Sequence, residues 1–111
     1  MAITDKIDFE NLVNETEKLV IAELGRQLES RTESFCLCNE CIIDMAAVAL
    51  NNVRPLYRCS LLGTLYVSRA MEDKKYAESI HDAVFKSIEK VKKNPGHDHH
   101  EDDGDFQNFS T

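Results

Sequence analysis

Apolar residues recur at three- and four-residue spacing from Phe9 onward, through Leu12, Val13, Leu19, Val20, Leu24 and Leu28, while Glu10, Asn14, Glu17, Lys18 and Arg26 fall between them. That spacing predicts an amphipathic helix over residues 9–28 with Asp8 as its N-cap. Gly25 lies inside the pattern at a cost of about 1 kcal/mol relative to Ala, which implies a close packing contact there or an early fray. Residues 30–34 carry Ser, Thr and charges without periodicity and read as a loop. Beyond it, Ile42, Ile43, Met45, Ala46, Ala47, Val48, Ala49 and Leu50 are apolar almost all the way round, so a helix from residue 40 or 41 to 52 must be buried on more than one side. Pro55 ends it, because the residue before a proline is pushed out of the helical region. Gly63 with Thr64, Leu65, Tyr66 and Val67 points to a short extended stretch. A last helix over about residues 72–93 places Tyr76, Ala77, Ile80, Val84, Ile88 and Val91 on one face, with a lysine-rich last turn that complements the helix dipole and Pro95-Gly96 as its stop.

The pattern therefore predicts an all-α, small three-to-four-helix domain. Its middle helix is more apolar than so small a monomer can cover, so a homodimer is expected. The length, 111 residues, suits one domain. Residues 94–111 contain two glycines, Pro95, five carboxylates and no Lys or Arg, and read as an acidic, His-containing disordered tail. Five of the seven net negative charges belong to that tail, which leaves the helical domain, residues 1–93, at −2. Such a balance has the wrong sign for coating a nucleic acid polymer or an anionic membrane. No apolar run is long enough for membrane insertion, and the polar start lacks the basic and apolar regions of a signal peptide, so a cytoplasmic location is expected. In a reducing compartment, clustered cysteines read sooner as metal ligands or redox groups than as disulfides.

Cys36, Cys38 and Cys41 cluster just before the buried helix, and Cys59 follows eighteen residues later. Zn²⁺ takes tetrahedral thiolate ligands, and a loop entering a helix N-terminus can fold three thiolates round one ion while the dipole stabilises their charge. Cys59 is the first candidate for the fourth ligand, since Pro55 turns the chain back; His81 serves only if the last helix packs close by. Reduced thiols or a disulfide are the alternatives, although Cys36 and Cys38 are too near each other for an unstrained bond. Neither a nucleophile with a positioned base nor an open catalytic metal is evident, so no enzymatic activity is expected. His97, His99 and His100 stand in a segment with no apolar residue to hold a geometry, and are read as part of the solvated tail. Residues 51–58 hold two guanidiniums, two amides and Tyr57 on a proline turn, groups that bind phosphate, stack on a base and read a purine edge, but that also have ordinary roles at a helix end.

The string Cys36-x-Cys38-x-x-Cys41-x-x-Asp44-x-x-Ala47-x-Ala49-Leu50-Asn51-x-x-x-Pro55-x-Tyr57 resembles the signature of the late competence development protein ComFB family. The resemblance implies an intertwined helical homodimer, with zinc on Cys36, Cys38 and Cys41 in members that carry these cysteines. It fixes no fourth ligand, so Cys59 stays an expectation from the chain alone. Other members, mostly without the cysteines, are receptors for cyclic di-GMP and in some cases cyclic di-AMP. That implies a cyclic dinucleotide ligand site on Asn51, Arg54, Tyr57 and Arg58. The Gly-Trp that such members often carry has no tryptophan counterpart near residues 61–67, which leaves Tyr57 or Tyr66 to stack on a base. The expected function is a non-enzymatic cyclic di-GMP receptor with structural zinc, signalling to an unidentified downstream protein. The alternatives are a zinc-stabilised interaction module in competence or motility that binds no nucleotide, and a redox sensor that ejects zinc on oxidation.

Overall fold

The structure, a computed structural model, describes residues 2–97; His99, His100 and the remainder of the acidic tail from residue 98 onward lie outside the described residues. Two 3₁₀ turns, Ile3–Lys6 and Phe9–Asn11, lead into β1 (Val13–Asn14) and α1 (Glu15–Ser30). There follow α2 (Asn39–Leu50), β2 (Tyr57–Arg58), α3 (Leu61–Met71) and α4 (Lys74–Lys93).

The first helix begins later than its apolar spacing predicts. Asp8 does cap, accepting from the Glu10 N–H at 3.0 Å, but it caps only the second 3₁₀ turn. Asn14 is the true cap of α1: its side-chain oxygen accepts from the N–H groups of Thr16 and Leu56, and the Glu15 N–H reaches the Leu56 carbonyl. These bonds hold residues 13–14 extended against residues 57–58, with Val13 opposite Arg58 and Asn14 opposite Tyr57 in an antiparallel pair. A long-range pairing has overridden local periodicity.

A second difference concerns residues 61–71, which form a helix where glycine and β-branched neighbours predict extended chain. Ser60 explains it as the N-cap: its hydroxyl accepts from the Gly63 N–H at 3.1 Å, satisfying one otherwise orphan donor, while its carbonyl accepts the first helical bond, from the Thr64 N–H at 2.9 Å. Gly25 meets neither expectation, since a Cβ there would touch nothing within 4 Å and the helix runs on to Ser30.

The core lies between α1, α2 and α4. Val20 and Leu24 of α1 meet Cys41, Met45 and Ala49 of α2 and Tyr76, Ile80, Val84, Ile88 and Val91 of α4, with Leu56 of the connecting turn closing one end. At that end Thr16, Tyr76 and Arg54 converge, since either the Thr16 or the Tyr76 hydroxyl is placed to donate to the Arg54 carbonyl. At the other end Arg31, just after α1, pairs with Glu89 near the end of α4. Hence α1 and α4 run the same way and α2 runs against both. Helix α3 stands apart, with Val67 its one fully buried residue, while Leu61 and Leu62 are 80% and 77% exposed. The molecule is accordingly flat, 48 × 43 × 19 Å with a radius of gyration of 16.8 Å, against ~13 Å for a compact chain of about 100 residues. No helix among the described residues is long and apolar enough to cross a membrane.

Candidate metal centre

The N-terminus of α2 carries the three clustered cysteines because Cys38 is its cap: the Cys38 sulfur accepts from the Cys41 N–H at 3.4 Å. Cys36 precedes it in the loop, and Cys41 occupies the first turn, fully buried against the core. The antiparallel course of α4 brings the chain after Lys93 to this end, and the turn at Pro95-Gly96 delivers His97. The His97 Nε2 lies 3.6 Å from the Cys36 Sγ and 3.3 Å from those of both Cys38 and Cys41. All four donor atoms fall within 4.8 Å of one another.

One imidazole nitrogen carries either one hydrogen or one lone pair, so hydrogen bonding accounts for one such contact and not three. A tetrahedral ion about 2.3 Å from each sulfur and about 2.0 Å from the nitrogen would set each S···N separation near ~3.5 Å. The observed separations, 3.3 to 3.6 Å, bracket that value. The donor set therefore fits Zn²⁺ in a closed Cys₃His site, the arrangement of structural rather than catalytic zinc, which keeps an open position.

The electrostatics point the same way. The Cys41 N–H holds the Cys38 thiol down to about 7, with the neighbouring thiols and His97 helping. Burial, reinforced by Cys36 and Cys38, pushes the Cys41 thiol well up. Three thiolates cannot ionise together at this spacing without a cation among them, so metal uptake here is coupled to proton release. Burial and then the nearby Glu40 raise the Asp44 carboxyl, one turn farther along α2.

The sequence-predicted set is thus partly brought together. Cys36, Cys38 and Cys41 converge, whereas Cys59 is exposed and stands outside the group. The reason is topological: β2 pins residues 57–58 against β1 at the far end of α2, and a helix of 12 residues separates its ends by ~18 Å. His81 is also outside, half-exposed on α4 with its imidazole 3.5 Å from Asp82. His97, assigned from sequence to the tail, stands beside the three thiols where a fourth ligand could sit; the cue was a histidine directly after a helix stop, in a chain with three clustered thiols.

The ligand candidates of the turn are distributed otherwise. Asn51 is the C-cap of α2, donating its N–H to the Ala47 carbonyl at 3.0 Å. The Arg54 guanidinium lies 5.1 Å from the centre of the Tyr76 ring. The Arg58 Nε donates to a Glu15 carboxylate oxygen at 2.6 Å, and its terminal nitrogen meets the same oxygen. Tyr57 and Tyr66 are 57% and 61% exposed. The structure leaves both rings accessible and gives both guanidiniums partners within the chain.

Comparison with known proteins agrees with the fold and the cysteine string. No curated protein matches the chain. A solved structure described as the structural characterization of the late competence protein ComFB from Bacillus subtilis is similar at 27% identity and a TM-score of 0.54, covering 76% of this chain and 93% of that one. The family profile of late competence development protein ComFB matches residues 13–95, from β1 to the turn before His97. With the profile spanning the whole helical core, the chain belongs to the ComFB family.

Proposed function

We propose that this protein is a non-enzymatic, homodimeric receptor domain that uses a structural zinc ion to fix its helices, binds cyclic di-GMP, and passes the signal to a partner protein. The zinc half of this reading is carried by one observation, the convergence of three thiols and one imidazole within 4.8 Å of one another. Zinc there would tie the start of α2 to the end of α4, closing the helical core at one end as Thr16, Tyr76 and Arg54 close it at the other. Pairing with a second copy is supported by α3, whose Leu61, Leu62, Leu65 and Tyr66 are all exposed beside Tyr57 of β2. A contiguous apolar surface of that kind is unusual on a monomer. A two-fold-symmetric dinucleotide matches the symmetry of such a pair, and Tyr57 and Tyr66 supply the stacking groups.

The internal partners of Arg54 and Arg58 favour a second reading, a zinc-stabilised interaction module that binds no nucleotide, because phosphate binding would have to displace Glu15 from Arg58. Titration calorimetry of the zinc-replete protein with cyclic di-GMP, with cyclic di-AMP and GMP as controls, separates the two. Saturable binding weakened by Tyr57→Ala and Arg54→Ala is the expected result. Silence with all three ligands, in a sample of verified zinc content and mass in solution, selects the interaction module.

A further inference from the structure

The loop that presents Cys36 and Cys38 rests on the core only through the partly buried Phe35 and Cys36. Residues 32–37 make no backbone-to-backbone hydrogen bond with any described residue, and a loop carrying two of four ligands would sample many arrangements if nothing else tied it down. Besides that packing, it is tied by a ring of alternating charge. The Arg31 Nη1 contacts a Glu33 carboxylate oxygen at 2.7 Å and a Glu89 oxygen at 2.8 Å. The Lys92 Nζ contacts Glu33 at 3.1 Å and Glu89 at 3.4 Å. Two of these residues are in the loop and two in the last turns of α4, Glu89 and Lys92, eight and five residues before His97. Each cation also lies over an aromatic ring: Arg31 is 5.1 Å from the centre of Phe85, on α4, and Lys92 is 5.5 Å from that of Phe35, the residue next to Cys36.

We propose that Arg31, Glu33, Glu89 and Lys92 are positioning residues for the metal centre, a charged clasp that holds the cysteine loop against the histidine-bearing end of α4 before the ion arrives. The proposal rests on the zinc reading above. Isolated exposed ion pairs contribute little, but this one is a closed network in which the Arg31 side chain is only 11% exposed. Its effect is on population: apparent affinity equals intrinsic affinity reduced by the fraction of the metal-free chain whose ligands are already in place, and the clasp raises that fraction. None of its four members touches the ion.

The test is zinc affinity of the full chain, measured by competition with a chromogenic chelator, for wild type, Glu89→Gln and the loop-side Glu33→Gln. Lys18→Met, which removes an exposed pair with Glu15 on α1, is the control. Loss of an outer-shell support predicts roughly tenfold weaker zinc binding in both clasp variants and none in the control. Raising salt should weaken zinc binding by wild type more than by Glu89→Gln, because screening acts on the clasp only where it exists; a role confined to general stability would not move that difference. Should Glu89→Gln fail to fold, the exposed Glu33→Gln decides. Wild-type affinity and salt dependence in the folded variants overturn the clasp while leaving the zinc site standing, whereas a wild-type chain that takes up no zinc overturns both.

Discussion

Two hydroxyls share one carbonyl at the end of the core opposite the thiols, and this arrangement makes a prediction whose sign is unusual. Thr16 is wholly buried and Tyr76 nearly so; their oxygens lie 2.5 Å apart, so one hydroxyl donates to the other, and either is placed to donate to the Arg54 carbonyl, Thr16 at 3.1 Å and Tyr76 at 2.9 Å. Removing either hydroxyl leaves the other to satisfy the carbonyl. Tyr76→Phe keeps the ring under the Arg54 guanidinium, and Thr16→Val keeps the shape, so each single change should cost about 1 kcal/mol, the net worth of one hydrogen bond. In the double variant the carbonyl loses both side-chain partners at once, which adds a desolvation penalty of ~1–3 kcal/mol that neither single change incurs. The pair should therefore be super-additive, with a total of roughly 3–5 kcal/mol and a coupling of at least about 1 kcal/mol. Urea unfolding at saturating zinc measures all four corners of the cycle. Strict additivity would refute the reasoning, since it would mean that the two hydroxyls do not back each other up at this carbonyl.

Further outcomes follow from the site and the helices. His97→Ala should weaken zinc binding by roughly a hundredfold, the share of one ligand in a four-ligand site, while Cys59→Ser leaves zinc content unchanged; inductively coupled plasma analysis of both variants checks this. Gly25→Ala should stabilise the protein by about 1 kcal/mol in thermal unfolding, because the α1 backbone already suits alanine and nothing stands within 4 Å of the added methyl group. A Glu33 backbone N–H bond and then Lys92 hold the Glu33 carboxyl down to about 2, below its ordinary 4.5, and Arg31 first of all lowers that of Glu89. Because both are lower in the folded chain, their stabilisation is full above about pH 4.5 and is lost as pH falls toward 2; Glu33→Gln should flatten the stability of the zinc-free protein across that window, as read by circular dichroism.

Much of the fold was legible where periodicity and packing agree. The face of α4 read from spacing is the buried one at Tyr76, Ile80, Val84, Ile88 and Val91, with Ala83 buried where Ala77 was expected. Helix α2 starts and stops within about two residues of the expected bounds, and its all-round apolarity corresponds to packing against both α1 and α4. Legibility failed where a single long-range contact decides the local state. Nothing in Val13-Asn14 announces that its partner is Tyr57-Arg58, yet that pairing sets where α1 begins. At residues 61–71 the misleading signal was side-chain type: Thr64, Tyr66 and Val67 favour strands only weakly, and the Ser60 cap outweighs them.

The fourth ligand shows how far a sequence argument could have gone with one more step. Cys59 is close to the cysteine cluster along the chain, but closeness along a chain that contains a helix is governed by parity: each helix that packs along the core carries the chain to its opposite end. After α2 leaves the thiols, residues 51–59 lie at the far end, which excludes Cys59 whatever the turn at Pro55 does. Helix α3 lies aside, and α4, with its first residues at Thr16 and Arg54, must then return to the thiol end over 20 residues, a rise of ~30 Å. The first metal-ligating side chain after that return is His97, three residues beyond the Asn94 cap. Spacing within a motif pointed to three candidate ligands because they share a loop and a helix turn; counting helix reversals is what reaches a fourth candidate that is 56 residues from Cys41.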